Sequence, residues 1–267
     1  MADCDNNCGG CDVENCASRQ GIQKEKMSEL SHVKKIIGVV SGKGGVGKSL
    51  VTSLLAVRKR NQGKEVAILD ADITGPSIPQ CFGLKGMLES DGTHIYPMLT
   101  NKGIKIVSTN LLLDDVTEPV IWRGPVIAGL VKQLYTDVAY GDVDYMFVDM
   151  PPGTGDVPLT VFQSMKVDGI IIVTSPQDLV SMIVSKAINM ANQMNIKVLG
   201  IVENMSYVVC PGCGKHIDVF GCSKIEEIAS KYNLEILGRI PVNQKLAEAC
   251  DNGKIEDIKE EYIKANF

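Results

Sequence analysis

Short runs of β-branched residues alternate along the chain with longer stretches whose apolar positions recur every three or four residues. The short runs are KIIGVVS, EVAILD, YMFVDM, GIIIVTS, VLGIVENM and EILGRIP. They are apolar on both faces, as parallel strands are when helices cover both sides of a sheet. Between them, Leu50, Leu54 and Val57 share one helical face, and residues 181–194 have the same spacing. The pattern predicts an α/β fold in three layers with a mostly parallel central sheet.

Two segments depart from this alternation. The stretch THIYPMLTNKGIKIVST, residues 93–109, is hairpin-like and predicts an antiparallel strand at one edge of the sheet. The beginning of the chain is rich in cysteine and charge and contains little that could form a core. We therefore divide the chain into an N-terminal metal-binding extension, residues 1–30, and one domain, residues 31–267.

Composition excludes several kinds of partner. The chain has 267 residues, and its 45% of apolar residues are enough for a packed interior. A net charge of −5 and 5% aromatic residues provide neither a basic stripe nor stacking surfaces, so we expect no nucleic acid partner. No apolar run approaches the roughly 18 residues of a membrane span, and the start lacks the features of a signal peptide. We expect a cytoplasmic protein without a membrane partner.

The clearest chemical motif is SGKGGVGKS, residues 41–49, which follows a predicted strand and opens a predicted helix. Its glycines let successive backbone N–H groups surround an anion, and the helix N-terminus adds its dipole. In such a loop Lys48 contacts the β- and γ-phosphates of ATP, and the hydroxyl of Ser49 ligates Mg²⁺. Strand, loop, Lys-Ser pair and helix together indicate a P-loop NTPase.

Carboxylates follow two of the other predicted strands. VAILDADITGPS carries Asp70 and Asp72, and YMFVDMPPGTGD carries Asp149. The carboxyl ends of parallel strands face the crevice in which such sheets bind ligands. We expect Asp149 to hold the magnesium ion, Asp72 to orient the attacking water, and the Gly153 amide to contact the γ-phosphate. Each alone would be an ordinary turn residue, but a phosphate loop in the same sheet favours the functional role.

The second lysine of the loop, Lys43, points to dimerisation. It lies near the start of the loop, where a side chain is poorly directed toward the phosphates of its own nucleotide. It could reach a nucleotide held by a facing subunit and stabilise charge there, as an arginine finger does. This position predicts a homodimer in which hydrolysis depends on Lys43 of the other copy.

At these residues the chain resembles a known group of ATPases. KGGVGKS resembles the deviant Walker A motif shared by partitioning ATPases, arsenite-pump ATPases and the nitrogenase iron protein. In that group the first lysine acts across a dimer that sandwiches the nucleotides. Together with PPGTGD, the stretch IVENMSYVVCPGCGKHIDVFG further resembles the Mrp family of iron-sulfur cluster carrier ATPases, and the resemblance covers residues 36–254.

The resemblance implies several roles. Cys210 and Cys213 would bind a labile 4Fe-4S cluster that two subunits share and pass to apoproteins. Asn204 would contact the base, and Pro241 would lie beside the adenine. Many relatives have Ser or Thr where this chain has Leu50, which leaves only a backbone amide for the α-phosphate. The residues expected to bind nucleotide are Gly42, Lys43, Gly44, Gly45, Val46, Gly47, Lys48, Ser49, Leu50, Gly153, Asn204 and Pro241; those expected to act in catalysis are Lys43, Lys48, Asp72 and Asp149.

The residues of CPGCG support a metal site independently. C-x2-C is a usual spacing for a pair of zinc or iron-sulfur ligands. The tight turn formed by Pro211, Gly212 and Gly214 is expected to free backbone N–H groups to point at sulfur. Two thiolates are half a site, so either two subunits pool Cys210 and Cys213 or Cys222 and His216 complete a site within the chain. Spacing alone leaves structural zinc and a cluster equally good; the resemblance favours the cluster.

The N-terminal tail has enough thiolates for a site of its own. Cys4, Cys8, Cys11 and Cys16 form the pattern C-x3-C-x2-C-x4-C. Bound metal would supply the folding energy that the segment lacks. The tail resembles the cysteine-rich extension of the scaffold branch of the family, which implies a 4Fe-4S cluster, although Cys4 lies nearer to the other cysteines than it does there. A zinc site is the alternative.

Two cysteines lie outside both groups, and two functions other than a cluster carrier stay open. Cys81 and Cys250, each isolated in a helical stretch, are predicted to be small buried apolar residues. The alternatives to a cluster carrier are an ATP-gated iron-sulfur electron donor and a positioning ATPase with structural zinc.

Overall fold

The computed structural model describes residues 24–72, 75, 77–112, 124–153, 155–176 and 180–267, so the tail cysteines lie outside the described residues. The strands are β1 (Ser31–Ser41), β2 (Val66–Asp70), β3 (Glu89–Ser90), β4 (Ile95–Tyr96), β5 (Met98–Leu99), β6 (Lys105–Ser108), β7 (Gly141–Asp149), β8 (Gly169–Thr174), β9 (Val198–Glu203), β10 (Val208–Val209), β11 (His216–Ile217) and β12 (Ile236–Arg239). The α-helices are α1 (Lys48–Asn61), α2 (Ile78–Cys81), α3 (Gly124–Thr136), α4 (Asp156–Ser164), α5 (Val180–Gln193), α6 (Ile225–Tyr232) and α7 (Gln244–Asp251).

The central sheet has eight strands within the described part of the chain, in the order β12-β9-β8-β1-β7-β2-β6-β5. Neighbouring strands run parallel from β12 to β6. At the far edge β5 is antiparallel to β6, with Met98 opposite Ile106 and Leu99 opposite Lys105. The antiparallel edge predicted within residues 93–109 is therefore confirmed.

Alternating side chains of the strands enter two separate cores, one on each face of the sheet. In β1, Ile36 and Val40 face a core covered by α3, α4, α5 and α6. Ile37 and Val39 face the opposite core, which α1, α2 and α7 cover. Strands buried on both sides must be apolar at every position, which explains the unbroken apolar runs in the sequence. The predicted three-layer α/β fold is confirmed.

Helix α1 connects the phosphate loop to one of these cores. Leu54 and Val57 are buried and Leu50 packs at the edge, as the helical spacing predicts. The last turn contains three basic residues, whose positive charges interact favourably with the negative end of the helix dipole. One of them, Lys59, is buried; its ammonium donates to the carbonyl oxygen of Ala265 at 2.7 Å. The helix is therefore anchored at its C-terminal end as well as along one face.

The order of the strands brings the candidate residues to one edge of the sheet. β7 lies between β1 and β2, and Asp149 is in register with both Val39 and Asp70. Because all three strands are parallel, the loop after β1 and the carboxylates that end β2 and β7 meet at their carboxyl ends. The fold therefore places the phosphate loop beside the two acidic segments.

Residues 24–30, which we assigned to the extension, contact the domain. The backbone N–H of Glu25 donates to the carbonyl of Ser164 at 2.8 Å, and its carboxylate lies 2.6 Å from the ammonium of Lys132. Met27 packs against the core on the same face. The division at residue 30 stays a prediction, with this short segment lying along α3 and α4.

None of the helices in the described ranges is long and apolar enough to cross a membrane.

Candidate nucleotide site and cysteine hairpin

A buried lysine and two carboxylates form the centre of the candidate nucleotide site. The ammonium of Lys48, at the first position of α1, lies 2.9 Å from Oδ1 of Asp149 and 3.4 Å from Oδ2 of Asp72. The Ser49 hydroxyl donates to Oδ2 of Asp149 at 2.5 Å, and the Thr52 hydroxyl donates to Oδ1 at 2.8 Å. Asp149 is fully buried, so its charge is balanced by these groups and not by water.

Thr52 is a residue that the sequence analysis missed. It lies one helical turn after Lys48, and that spacing places two side chains on the same face of a helix. Its hydroxyl also contacts the carbonyl oxygen of Lys48 at 3.1 Å. The signal was therefore present as a polar residue on an otherwise buried helical face.

Asp70 is the third carboxylate at this edge of the sheet. It is 1% exposed and accepts hydrogen bonds from the Ser108 hydroxyl at 3.0 Å and from the backbone N–H of Asp72 at 3.2 Å. Burial and the neighbouring charge of Asp149 raise the pKa of Asp70 well above its usual value. Burial therefore disfavours a negative charge on Asp70 beside that of Asp149.

The side chain of Asn204 contacts the backbone of the phosphate loop. Its side-chain amide donates to the carbonyl oxygen of Val46 at 2.9 Å. Gly47 has a φ of 79°, and a Cβ added there would lie 2.1 Å from the Asn204 nitrogen. Only glycine therefore allows this contact between loop and amide. The expected contact between Asn204 and the base stays a prediction.

The loop borders a cavity of about 440 Å³. The first turn of α1, including Lys48, Ser49 and Leu50, lines one side together with Asp72, and α2 and α7 line another. This volume lies within the usual range for small-molecule sites, about 300–1,000 Å³. The cavity therefore has room for a nucleotide against the phosphate loop.

The remaining nucleotide residues are placed as follows. Gly153, with φ 88°, donates its backbone N–H to the carbonyl of Ser41 at 2.8 Å, so a contact with the γ-phosphate requires this hydrogen bond to open. Lys43 is exposed, and Gly42 is partly exposed beside it. Pro241 is buried in the connection between β12 and α7. The roles expected for these residues stay predictions.

The C-x2-C motif lies at the tip of a small hairpin. β10 and β11 are antiparallel, with Val209 opposite His216. The turn is closed by hydrogen bonds from the Cys210 N–H to the Lys215 carbonyl at 2.9 Å and from the Gly214 N–H to the Cys210 carbonyl at 2.8 Å. Gly214 has a φ of 72°, which favours glycine. The hairpin therefore presents both cysteines on one tight turn.

The two thiols differ in environment. Cys213 is exposed and Cys210 is partly buried. The backbone N–H groups of Cys213 and Gly212, followed by the Cys213 thiol, donate to the Cys210 sulfur and lower the pKa of Cys210. N–H groups directed at sulfur stabilise a thiolate, which is the form that binds metal. Such N–H groups were expected from the turn formed by Pro211, Gly212 and Gly214; of these residues Gly212 provides one, and Cys213 provides the other.

The structure also bears on how many ligands one chain supplies. Within the described residues, no three His, Cys, Asp or Glu side chains come close enough together to hold a metal ion. His216 instead stacks on Tyr207, with ring centroids 4.0 Å apart. Cys222 is exposed farther along the same loop. In this structure Cys222 and His216 therefore do not complete a site with the thiol pair.

Glu203, at the end of β9, holds the base of the cysteine loop. It is 1% exposed and accepts hydrogen bonds from the hydroxyls of Ser206 and Ser223, each at 2.5 Å. These serines bracket residues 207–222, which include the hairpin. Asn204 follows directly and contacts the phosphate loop. Glu203 was not predicted, although an acidic residue that ends an otherwise apolar run was a signal for it in the sequence.

Comparisons with known proteins agree with this geometry. A family model described as "ParA: NUBPL iron-transfer P-loop NTPase" matches residues 32–266. Proteins named "Iron-sulfur cluster carrier protein" from Clostridium perfringens and Methanocaldococcus jannaschii are 42% and 44% identical, over 97% and 95% of this chain and 94% and 90% of theirs. A solved structure of a nucleotide-binding protein from Archaeoglobus fulgidus, described in complex with ADP, has a TM-score of 0.76 and 47% identity over 84% of this chain and 88% of that chain.

The fold, the phosphate loop and these similarities define the chain as a P-loop NTPase and, by class, an ATP hydrolase. More narrowly, it belongs to the NUBPL iron-transfer branch of the ParA family, whose relatives are iron-sulfur cluster carriers. The family resemblance seen in the motifs is confirmed.

Proposed function

We propose that the protein binds ATP with Mg²⁺ and that, as a homodimer, it carries a 4Fe-4S cluster to apoproteins on Cys210 and Cys213 of both subunits. The observation that carries the proposal is an accessible thiol pair with no third metal-binding side chain near it in the described residues. A 4Fe-4S cluster takes four thiolates. The pair from a second copy supplies the missing two, and the carrier names of the relatives support the cargo.

The residues beside the phosphate loop fit a magnesium ion. The Ser49 hydroxyl and the Asp149 carboxylate are adjacent, with oxygens 2.5 Å apart. Hydroxyl and carboxylate oxygens are the hard donors that Mg²⁺ prefers, with phosphate oxygens completing its shell. When bound, the ion neutralises charge on the transferring phosphoryl group. Ser49 and Asp149 would hold it.

The protein's own groups then account for hydrolysis. Loop N–H groups and the Lys48 ammonium bind the phosphates, Asp72 at the cavity wall orients the attacking water, and Lys43 of the second subunit stabilises developing charge. Asp72 already lies within 3.4 Å of Lys48, so it borders the place where the γ-phosphate would sit. Asp72→Ala is expected to keep nucleotide binding and lose ATP turnover. Hydrolysis like that of the wild type would remove Asp72 from the mechanism.

The end of β9 offers a route by which nucleotide affects the cargo. Asn204 contacts the phosphate loop at Val46, while its neighbour Glu203 anchors the loop that carries the cysteines. If nucleotide binding changes the conformation of the phosphate loop, Asn204 would shift with Val46, and the adjacent Glu203 would transmit the shift to the base of the hairpin. We propose that, through this contact, the dimer binds the shared cluster with a different affinity in its ATP-bound and ADP-bound states.

The cluster proposal is tested in a full-length variant with Cys4, Cys8, Cys11 and Cys16 replaced by Ser. Anaerobic purification is expected to give about four irons and four sulfides per dimer with an iron-sulfur absorption spectrum. Further replacement of Cys210 and Cys213 by Ser should remove the iron and stop transfer to an apoprotein while ATP still binds.

The matched control for this experiment is Cys222→Ser, which removes an exposed thiol from the same loop. It should keep the iron. Loss of iron in the control, or stoichiometric zinc in place of iron, would contradict the shared-cluster proposal.

The tail cysteines are proposed to close a second 4Fe-4S site within one chain. With the tail intact, the dimer should hold about twelve irons if Cys4 is a ligand. A chelator should remove the tail cluster more slowly than the shared one, because all four of its ligands belong to one chain and do not separate when the dimer dissociates. Zinc bound to the tail would show that the alternative is right.

The trans role of Lys43 is tested by mixing chains. Lys43→Ala and Lys48→Ala homodimers should each lack turnover. A heterodimer has one site with intact Lys48 that faces an intact Lys43 from the other chain, so part of the activity should return. Heterodimers that form but stay inactive would rule out the trans role.

A further inference from the structure

We infer that Cys81 and Cys250 form a reversible disulfide in the wall of the nucleotide cavity and that this modification slows ATP turnover. The two cysteines are isolated in the sequence, but the structure brings them to the wall of one cavity. Both line the cavity beside the phosphate loop. Each cysteine shifts the pKa of the other, which requires the two thiols to lie close together.

The backbone around the pair holds α2 and α7 against each other. Cys81 ends α2 and Cys250 lies in the last turn of α7. Each helix is followed by a glycine in the left-handed region, Gly83 with φ 68° and Gly253 with φ 66°. These two glycine turns touch, because a Cβ added to Gly253 would lie 2.3 Å from the Cα of Gly83. The ends of the two helices are thus fixed against each other.

The two thiols have complementary roles in thiol-disulfide exchange. Cys250 is only partly buried, and the hydrogen bond from Cys81 lowers its pKa, which favours the nucleophilic thiolate. The same hydrogen bond, followed by burial, raises the pKa of Cys81 and keeps it protonated. Cys250 is therefore the attacking thiol and Cys81 the resolving one.

The reaction needs an oxidant, and a low-molecular-weight disulfide such as oxidised glutathione supplies it. The Cys250 thiolate attacks one sulfur of that disulfide, forms a mixed disulfide and releases one thiolate. Cys81 has then lost its hydrogen-bond acceptor; it gives its proton to water, and its sulfur attacks the Cys250 sulfur and releases the second thiolate. Two protein thiols are oxidised by two electrons, and the reagent is reduced to two thiols.

The bond would act on the catalytic segment through α2. This helix begins shortly after Asp72 and packs against both α1 and α7. A disulfide closes the sulfurs to about 2.05 Å and ties α2 covalently to α7. In P-loop NTPases the segments that sense the γ-phosphate change conformation between nucleotide states. A tethered α2 restrains Asp72 against that change, whereas the phosphate loop itself is untouched.

The test treats the full-length protein anaerobically with oxidised glutathione, blocks free thiols with N-ethylmaleimide and maps disulfides by mass spectrometry of an unreduced digest. We expect a peptide that joins Cys81 to Cys250, with ATP turnover lowered roughly tenfold and nucleotide affinity almost unchanged, because the tether acts on conformation and not on the phosphate loop. Dithiothreitol should restore turnover. Each protein is compared with its own reduced form, so differences in starting activity do not matter.

Two variants separate this pair from the other thiols. Cys250→Ser should make turnover insensitive to the oxidant, whereas Cys222→Ser, which removes a different exposed thiol, should stay as sensitive as the wild type. Three outcomes would overturn the inference: no Cys81–Cys250 peptide under conditions that fully pair Cys210 with Cys213, unchanged turnover despite that peptide, or inhibition of Cys250→Ser like that of the wild type. Neither readout requires bound iron, so the result is independent of the carrier proposal.

Discussion

The nucleotide site and the cysteine hairpin differ in how firmly the protein holds their functional side chains. At the nucleotide site, Lys48 and Asp149 are buried, and their partners come from a helix and two parallel strands. The hairpin consists of two strands of two residues each, and it presents an exposed Cys213 at its tip. Catalytic groups gain from being held in place before substrate arrives. Cys210 and Cys213, as the proposed ligands of a cluster that is passed on, cannot be enclosed in the same way.

This contrast has a testable consequence. Substitutions of the buried groups at the nucleotide site should change stability and ATP chemistry together, because the same contacts serve both. Substitutions at the tip of the hairpin should change metal binding and leave stability almost untouched.

Lys48→Ala should have the largest effect. It should abolish nucleotide binding and turnover, and it leaves Asp149 buried without a cation, which is expected to lower the free energy of unfolding by about 3 kcal/mol. Urea unfolding and ATP hydrolysis measure the two effects. Lys43→Ala is the matched control, since that side chain is exposed and its loss should lower turnover but not stability. A Lys48→Ala protein that unfolds like the wild type would show that the contacts of Lys48 do not stabilise the fold.

Gly47→Ala should come next because it combines backbone strain with a collision against Asn204. We expect a loss of about 2 kcal/mol, of which about half should disappear when Asn204→Ala is already present. Gly45→Ala is the control, since its φ is 78° but a Cβ there would meet nothing within 4 Å. Its cost should not depend on Asn204. Equal coupling for both glycines would show that the amide contact is unimportant.

Glu203→Ala tests the junction between the two regions. The substitution leaves the hydroxyls of Ser206 and Ser223 without their acceptor and is expected to cost about 1–2 kcal/mol. Because it loosens the base of the cysteine loop, a chelator should remove iron faster than from the wild type. Ser206→Ala and Ser223→Ala should each show a smaller change of the same sign. Unchanged iron release would indicate that the hairpin does not depend on Glu203.

His216→Ala should have the smallest effect on stability. Its ring stacks on Tyr207 but is exposed on the hairpin. The free energy of unfolding should therefore change by no more than about 0.5 kcal/mol, and nucleotide binding should not change. Iron content should also be kept, because His216 is not proposed as a ligand. A loss of iron would revive a site completed within one chain.

Several parts of the nucleotide site could be predicted from local sequence. Gly47, Lys48 and Ser49 belong to one short motif, and the three-layer fold followed from strands that are apolar on both faces. Thr52, Glu203 and the contact of Asn204 with Val46 were not predicted. Each of these depends on a partner distant in sequence or on the direction of one side chain, and neither periodicity nor motif spacing contains that information.

By itself the sequence determined the fold class, the phosphate loop and the presence of two cysteine groups, because these depend on local patterns of burial and on residues close together in the chain. Tertiary structure decided which groups meet. The register of β7 with β2 places Asp149 beside Asp70, and the contact of two glycine turns brings Cys81 to Cys250. Such pairings are set by how strands order in the sheet and how helices pack on it, and only the folded chain brings these residues together.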